Sequence, residues 1–580
     1  MKKNLETMRH SCSHVLAAAV LKLYPGAKLG IGPAIEEGFY YDFEFSKSIN
    51  EEDFSKISDL MNQIIKEGLP FKKEEVSISE AKKLFKNQPY KLELISDLEK
   101  EGTKEVSVYK TGDFLDLCAG PHVKDTSQIG PFKLLSLAGA YWRGSEKNPM
   151  LTRIYGTCFP TQKELNAHLQ NLKEAEERDH RLLGKRLELF SISEEVGGGL
   201  PIWHPKGAVI RQIIEDFWKK EHQARGYEYV YSPHIGSINL WKRSGHWDFY
   251  RENMYAPIVI ENQKFLLKPM NCPFHVQIYK SKIRSYRNLP LRLCELGTVY
   301  RFERAGVLHG LVRVRGFTQD DAHIFCRPDQ LEEEIVGVLD LALFMLSTFG
   351  FKDYEIDLSV RDPKNKEKYL GADKIWQKAE KALEEALKKK KLKFHRAEGE
   401  AIFYGPKIDI KLLDSLGRGW QGPTIQVDFN FPEKFNLTFI NQKGEKEPVV
   451  MIHRTVLGSM ERFIGTLIEQ YAGAFPVWLA PVQAVVIPIT DKQGKYGQEV
   501  AEKLKKEEIR AKLDDRDETT SAKIRDAELE KIPYMIVVGE KEVKAKNISV
   551  RQRGEKDLGK MTLERFLDKI KTEIENKSLS

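Results

Sequence analysis

The sequence has little cysteine: six residues in 580, scattered so that they make no disulfide framework. That excludes a small cross-linked secreted scaffold and implies a reducing, cytoplasmic setting. No apolar run approaches the roughly 20 residues needed to span a bilayer. The opening MKKNLETMRHSCSH also has no apolar segment ahead of a cleavage site, so neither a membrane protein nor an exported one is expected. Neither charge dominates. The 92 Lys and Arg against 85 Asp and Glu leave a net +7, which is compatible with a polyanionic partner but is no argument for one. Internal repeats and low-complexity tracts are lacking too. What remains is an ordinary globular composition, 41% hydrophobic and 31% charged. A chain this long cannot fold around one core and suggests roughly three or four domains.

Residues 10–24 carry an amphipathic helix pattern, after which strands and helices mix to residue 160. Residues 162–186 are highly charged and poor in Gly and Pro, and read as one connecting helix. Three consecutive glycines end residues 194–199 and mark a boundary. Residues 200–475 form the longest mixed α/β stretch, including a Lys- and Glu-rich helix pattern over 364–393 whose lysine run reads as a solvated helix end. From Val482 onward, VQAVVIPIT and PYMIVVG read as buried strands on either side of a helix over 497–507, a small α/β domain.

The most informative stretch is residues 298–326, TVYRFERAGVLHGLVRVRGFTQDDAHIFC. Val299, Val312 and Val314 alternate with polar positions, which reads as two antiparallel strands joined by a loop around 305–310. Arg301, Arg304, Arg313 and Arg315 on one sheet face would grip polyphosphate, because the planar guanidinium binds phosphate oxygens in pairs. The plainer alternative is a surface hairpin with solvated charges.

YRFE and the arginine-bearing return strand resemble motif 2 of the class II aminoacyl-tRNA synthetases. Motif 1 is then matched by residues 204–235, HPKGAVIRQIIEDFWKKEHQARGYEYVYSPHI, with Pro233 in its place. Motif 3 is matched by residues 451–470, MIHRTVLGSMERFIGTLIEQ, with Arg462 following Gly458. The resemblance implies an antiparallel-sheet catalytic core and a homodimer formed through motif 1. It implies that Arg301 takes the α-phosphate of ATP and Arg462 the γ-phosphate, with Glu303, Arg313 and Ser459 in the same site and Mg²⁺ bridging the phosphates.

KPMNCPFH (268–275), DDAHIF (320–325) and MIHRT (451–455) resemble the threonyl-tRNA synthetase forms of these regions. In that family Cys272, His323 and His453 match the ligands of an active-site zinc, although their separation here forms no zinc motif. Three protein ligands leave zinc an open position for the amine and hydroxyl of threonine. Valine lacks that hydroxyl and would lose a ligand bond rather than only a contact. Asp321 is implied to receive the hydroxyl, and Gln319, Tyr404, Lys407, Gln421 and Gln426 match other pocket positions, Lys407 being assigned to catalysis. His246 matches the general base used when the tRNA ribose attacks the adenylate. Serine keeps both zinc-binding groups and lacks only a methyl, so a threonyl enzyme needs a second, correcting site.

His10 and His14 lie four apart on a predicted helix, and Cys118 and His122 offer a second pair; by composition alone this is a plausible zinc tetrad. GIGPAIEEGFYYDF (30–43) and DFLDLCAGPHV (113–123) resemble instead the editing domain of bacterial-type threonyl-tRNA synthetases, which hydrolyses Ser-tRNA(Thr) with water and no metal. Tyr41, Lys91 and Asp116 carry over into the same site. The family commonly places a ubiquitin-like domain before this one, and here the sequence begins at the editing pattern. Residues 482–571 resemble the class IIa anticodon-binding domain, with Arg516, Glu542 and Arg551 expected to contact tRNA(Thr) bases.

The resulting expectation is a multidomain α+β and α/β protein: an α+β editing domain over 1–161, a connecting helix over 162–195, a catalytic domain over 196–477 and an α/β anticodon-binding domain over 478–580. A prolyl or seryl enzyme, or an RNA-binding relative without ligase activity, are the alternatives. The intact set of arginines and zinc-type ligands argues against both.

Overall fold

The computed structural model describes residues 2–413 and 419–579; residues 414–418, which fall in sequence between the expected pocket residues Lys407 and Gln421, lie outside the described residues. The chain divides into two compact units, Met1–Lys173 and Glu174–Ser580. Among the described residues no helix is long and apolar enough to cross a membrane.

The first unit is built on the helix Lys2–Leu23, whose Val15, Leu16, Ala19 and Val20 are buried against a five-stranded antiparallel sheet. The helix Phe54–Lys66 joins that core through Ile57, Met61 and Ile64, the one-sided spacing of an amphipathic helix. A separate three-stranded sheet, Lys72–Ser77, Glu105–Thr111 and Phe114–Leu117, carries Asp116 on its last strand.

The second unit is centred on an eight-stranded sheet. Its middle strands are antiparallel, in the order Leu291–Tyr300, Gly316–Cys326, Val450–Thr455, Gly419–Asp428 and Lys407–Leu413. The helix Leu331–Thr348 lies against it through Ile335, Val338, Leu339, Ala342 and Met345, an i, i+3, i+4, i+7 stripe. The C-terminal sheet has Ala484–Pro488 buried throughout between two parallel neighbours, as a continuous apolar run requires.

Several sequence expectations shift. The arginine-bearing return strand begins at Gly316, so Val312, Arg313, Val314 and Arg315 belong to the loop before it. The cause is local: Gly310 turns at φ +46° and the Arg315 N–H donates to Gly199 O at 2.7 Å rather than to the neighbouring strand. The connecting helix is two helices, Gln162–Arg178 and His180–Arg186, because the Asp179 side chain caps the second by accepting from Arg181 N at 2.7 Å. The 364–393 pattern is α-helical only over Asp373–Lys389, after a single 3-10 turn at Lys366–Lys368, and the motif 1 strand is short, Glu228–Tyr229.

Candidate active sites

One cavity of about 450 Å³ opens on the large sheet, and most of the expected residues meet there. Gln319, Asp321 and His323 reach it from one strand, and His453 from the next. Gln421 and Gln426 line it from a third strand, and Tyr404, His246, Ser459 and Arg462 close it from loops and helix starts. Three residues stay outside its lining. Glu303 and Arg313 pair with each other at 3.1 Å in the 301–315 loop. Lys407 lies in an adjoining open groove of about 1020 Å³, which Gln421 also lines, with its Nζ drawn to Asp409 at 2.7 Å two positions along the same strand face.

The end of the cavity lined by Arg301 and Arg462 is arginine-rich. Arg301 Nε donates to Pro269 O at 3.2 Å, and its guanidinium lies near the rings of Tyr250 (5.6 Å) and Phe317 (5.1 Å). Ser459 caps the helix Met460–Gln470 by accepting from Arg462 N at 3.1 Å, which fixes where Arg462 leaves the helix. Arg462 Nε then donates to Val312 O at 3.1 Å and ties the helix to the 301–315 loop. Burial, followed by the charges of Arg301 and Arg313, holds Arg462 below the ordinary arginine range. Cations gathered this closely favour an anionic occupant.

At the other end, strand register sets His323 directly opposite His453, and Cys272 opens the helix Cys272–Lys280 beside them. One ligand atom from each of the three lies within 4.8 Å of the others. Donors on a tetrahedral zinc with bonds of about 2.0–2.3 Å stand about 3.3–3.8 Å apart, so a small contraction suffices. Burial pushes the Cys272 thiol well up and the His323 imidazole well down. Neutral histidines suit a metal, and the thiol would have to give up its proton to one. Asp321 accepts from Asn271 Nδ2 at 3.0 Å and lies 3.8 Å from His323 Nε2.

His246 is 3% exposed, and burial takes it down to about 3, so its ring is neutral. Ser244 Oγ donates to Trp241 O at 3.1 Å, which leaves that hydroxyl to accept from His246 Nδ1 at 2.7 Å. The Nε2 lone pair is therefore the free, basic one.

Sequence reading missed Asp320. The two acids after Gln319 point to opposite sides of the strand, so Asp321 faces the cavity and Asp320 the interior. The Asp320 carboxylate accepts from Val456 N, Leu457 N and Gly458 N at 2.7, 2.9 and 2.8 Å, and from Trp218 Nε1 at 3.2 Å. It fastens the turn ahead of Ser459 to the strand bearing Gln319. His275 and Asp428, each beside an expected zinc residue, were missed as well; only period-two alternation could have separated Asp320 from Asp321, and no spacing marked the others.

In the first unit all seven expected residues come together. Cys118 Sγ lies 3.3 Å from His10 Nε2 and 3.4 Å from His122 Nε2, and the His14 and His122 rings are 4.2 Å apart. Asp116 takes Lys91 Nζ at 2.6 Å and the Tyr41 hydroxyl at 2.6 Å, with His14 Nε2 at 3.6 Å. Burial and the neighbouring histidines press His122 down to about 2 and His14 well below its ordinary 6.5; burial also lifts the Cys118 thiol to about 11. Between the ordinary histidine value of 6.5 and about 2, the unfolded chain binds protons that the folded cluster refuses. Stability from these groups is thus complete above the unfolded value and is lost progressively as pH falls below it. The first thermal transition of the full chain is expected to move down between about pH 7.5 and about pH 5. An unchanged transition would count against this packing.

The anticodon residues do not converge in the same way. The Arg516 guanidinium is held by Asp514 at 2.7 Å and Asp526 at 3.0 Å. Glu542 is buried, accepting from Gly539 N at 3.1 Å as a helix cap and pairing with Lys560 at 2.9 Å. Arg551 lies half-buried on the strand Ile548–Gln552.

Comparison with known proteins gives three family matches: a tRNA synthetase class II core domain (G, H, P, S and T) over residues 255–471, an anticodon binding domain over 483–573, and the threonyl and alanyl tRNA synthetase second additional domain over 106–155. The chain is 56% identical over 550 residues to a threonine-tRNA ligase of Dehalococcoides mccartyi, covering 95% of this chain and 93% of the relative. It is 52% identical over 581 residues to one of Sulfurihydrogenibium sp., covering 99% and 90%. Among solved structures it resembles the RNA binding domain of threonyl-tRNA synthetase from Cryptosporidium parvum Iowa II, with a TM-score of 0.64 and 39% identity over 68% of this chain and 98% of that one. Near-full-length relatives at more than half identity, with the three matched segments in the order the sequence motifs require, leave one conclusion: the chain belongs to the threonine-tRNA ligase family.

Proposed function

We propose that this chain activates L-threonine with ATP, transfers it to tRNA(Thr), and hydrolyses Ser-tRNA(Thr) at the N-terminal cluster. The observation that carries the reading is the meeting of Arg301, Arg462 and the Cys272, His323 and His453 set on one cavity. In it Cys272, His323 and His453 would hold one zinc ion, which when bound would supply a Lewis-acid contact for the amine and β-hydroxyl of threonine. Asp321, oriented by Asn271, receives the hydroxyl. Arg301 and Arg462 stabilise charge growing on the α- and γ-phosphates, which Mg²⁺ bound with ATP would further neutralise, while Glu303 and Arg313 help place ATP from the loop. Gln319, Tyr404, Lys407, Gln421, Gln426 and Ser459 complete the pocket. His246 accepts the ribose proton through Nε2 in the transfer step. Arg516, Glu542 and Arg551 are assigned to the anticodon, and the helix Pro205–Ala224 to a homodimer interface. Of the four-part division at 161, 195 and 477, the last boundary is supported by the separate eight-stranded and five-stranded sheets on either side of it, whereas the compact units meet at Lys173 and Glu174 and a small two-stranded sheet crosses 195.

ATP–pyrophosphate exchange across the twenty amino acids tests the reading. Threonine-dependent exchange, weaker exchange with serine and negligible exchange with valine are expected; absence of exchange would overturn it. One observation favours a rival for the N-terminal cluster: its four donor atoms also lie within 4.8 Å of one another, as a zinc tetrad would. One zinc per chain supports metal-free editing, and two support the tetrad.

A further inference from the structure

The two histidines expected to hold zinc are each backed by a buried acceptor, and the donor–acceptor arithmetic fixes which ring nitrogen faces the metal. Glu295 is 3% exposed, accepts from Ser232 N at 3.0 Å and from Ser232 Oγ at 2.6 Å, and has Lys268 Nζ 3.9 Å away. Despite burial, His275 first, and then Lys268 and Ser232, hold its carboxyl below the usual range. An ionised carboxylate only accepts, so His275 Nε2, 3.2 Å from Glu295 Oε1, carries a proton. His275 Nδ1 faces His323 Nδ1 at 2.8 Å, a pair that needs one N–H and one lone pair, and with Nε2 already donating to the carboxylate the lone pair falls on His275 Nδ1. His323 must therefore donate from Nδ1, which leaves its Nε2 lone pair for the cavity.

His453 is set the opposite way. Its Nε2 lies 3.0 Å from Oδ2 of Asp428, which is fully buried. The other oxygen, Oδ1, accepts from Asn430 N at 2.7 Å and Phe431 N at 2.9 Å, so the backbone fixes the carboxylate's orientation. His453 donates from Nε2 and offers Nδ1. We propose that the Glu295–His275 relay and Asp428 are positioning groups that lock His323 and His453 into opposite tautomers, one presenting Nε2 and the other Nδ1 to the same point. The inference rests on the zinc reading above.

A lone pair already aimed at the site needs no proton transfer before binding, and a ring donating to a carboxylate is a better ligand. Asp428→Asn makes a sharp variant. Its amide oxygen would keep the two backbone bonds, so its NH₂ would face His453 Nε2 and drive the ring to the wrong tautomer, as such a change does in a catalytic triad. His275→Ala removes the relay.

The test is zinc affinity of the full chain by chelator competition, with zinc content, apo-protein melting and steady-state constants measured alongside. Cys272→Ala serves as the control, since it should abolish the catalytic zinc. Both positioning variants are expected to bind zinc about 10–100-fold more weakly than the parent. KM for threonine should rise while KM for ATP stays, a split that general destabilisation would not produce. Parental zinc affinity in both variants would overturn the inference while leaving the zinc reading intact. Zinc content unchanged in Cys272→Ala would overturn the zinc reading itself, and the inference with it.

Discussion

Arg301→Lys is expected to lower threonine-dependent pyrophosphate exchange by about 10²–10³-fold, the usual cost of removing one preorganised donor from a developing anion. Charge is kept in this variant, so the loss would come from geometry. Among the described residues the guanidinium's hydrogen bond runs from Nε to Pro269 O, and the rings of Tyr250 and Phe317 lie near it. A planar fork held at Nε leaves its Nη atoms for an anion in the cavity, whereas an ammonium on a flexible stem lacks the fork. Arg301→Ala should be at least as inactive. Melting should change little in the alanine variant, because burial and then the charges of Arg301 and Arg313 hold Arg462 below its ordinary range, and removing Arg301 relieves a repulsion that Glu303 opposes. Exchange within a few-fold of the parent would remove Arg301 from the chemistry.

The three synthetase motifs were legible because each is a contiguous run with a local pattern: the helix Pro205–Ala224 and the strand Val450–Thr455 leading into the helix Met460–Gln470 form where their patterns place them, whereas the first strand of motif 2, Leu291–Tyr300, ends before Arg301 and leaves Arg301 and Arg304 in the loop rather than on the sheet face. The loop between the two strands of motif 2 was misjudged because alternation of Val312 and Val314 mimics a strand, while Gly310 and the bond from Arg315 to Gly199 decide the path. Contacts set by register were invisible. Nothing in the sequence pairs His323 with His453, or sets His275 behind one and Asp428 behind the other; those follow from how distant strands align. The anticodon assignments fared differently because motif resemblance carries no information on occupancy. Glu542 is already taken by its own helix cap and Lys560, so any base contact there would begin by breaking an ion pair.

Asp116→Ala is expected to abolish Ser-tRNA hydrolysis and to destabilise the first unit by about 3–5 kcal/mol, while leaving pyrophosphate exchange intact. Asp116 and Lys91 are each 2% exposed, and their 2.6 Å contact has almost no water to replace it. Deleting the carboxylate leaves an ammonium buried beside the Tyr41 ring and takes away the acceptor of the Tyr41 hydroxyl. The same deletion frees His14, whose Nδ1 has no hydrogen-bond partner among the described residues and whose Nε2 loses the Asp116 carboxylate 3.6 Å away. Stability and hydrolysis separate in the double variant Lys91→Ala, Asp116→Ala. With both charges gone no unpaired ion remains, so much of the lost stability should return, giving a coupling energy of a few kcal/mol between the two sites. Hydrolysis should not return, because the cluster would still lack the carboxylate beneath it. Additive stability losses in that cycle would mean that the pair does not act as a buried unit. Hydrolysis surviving in Asp116→Ala would mean that the cluster of His10, His14, Cys118 and His122 works without the carboxylate beneath it.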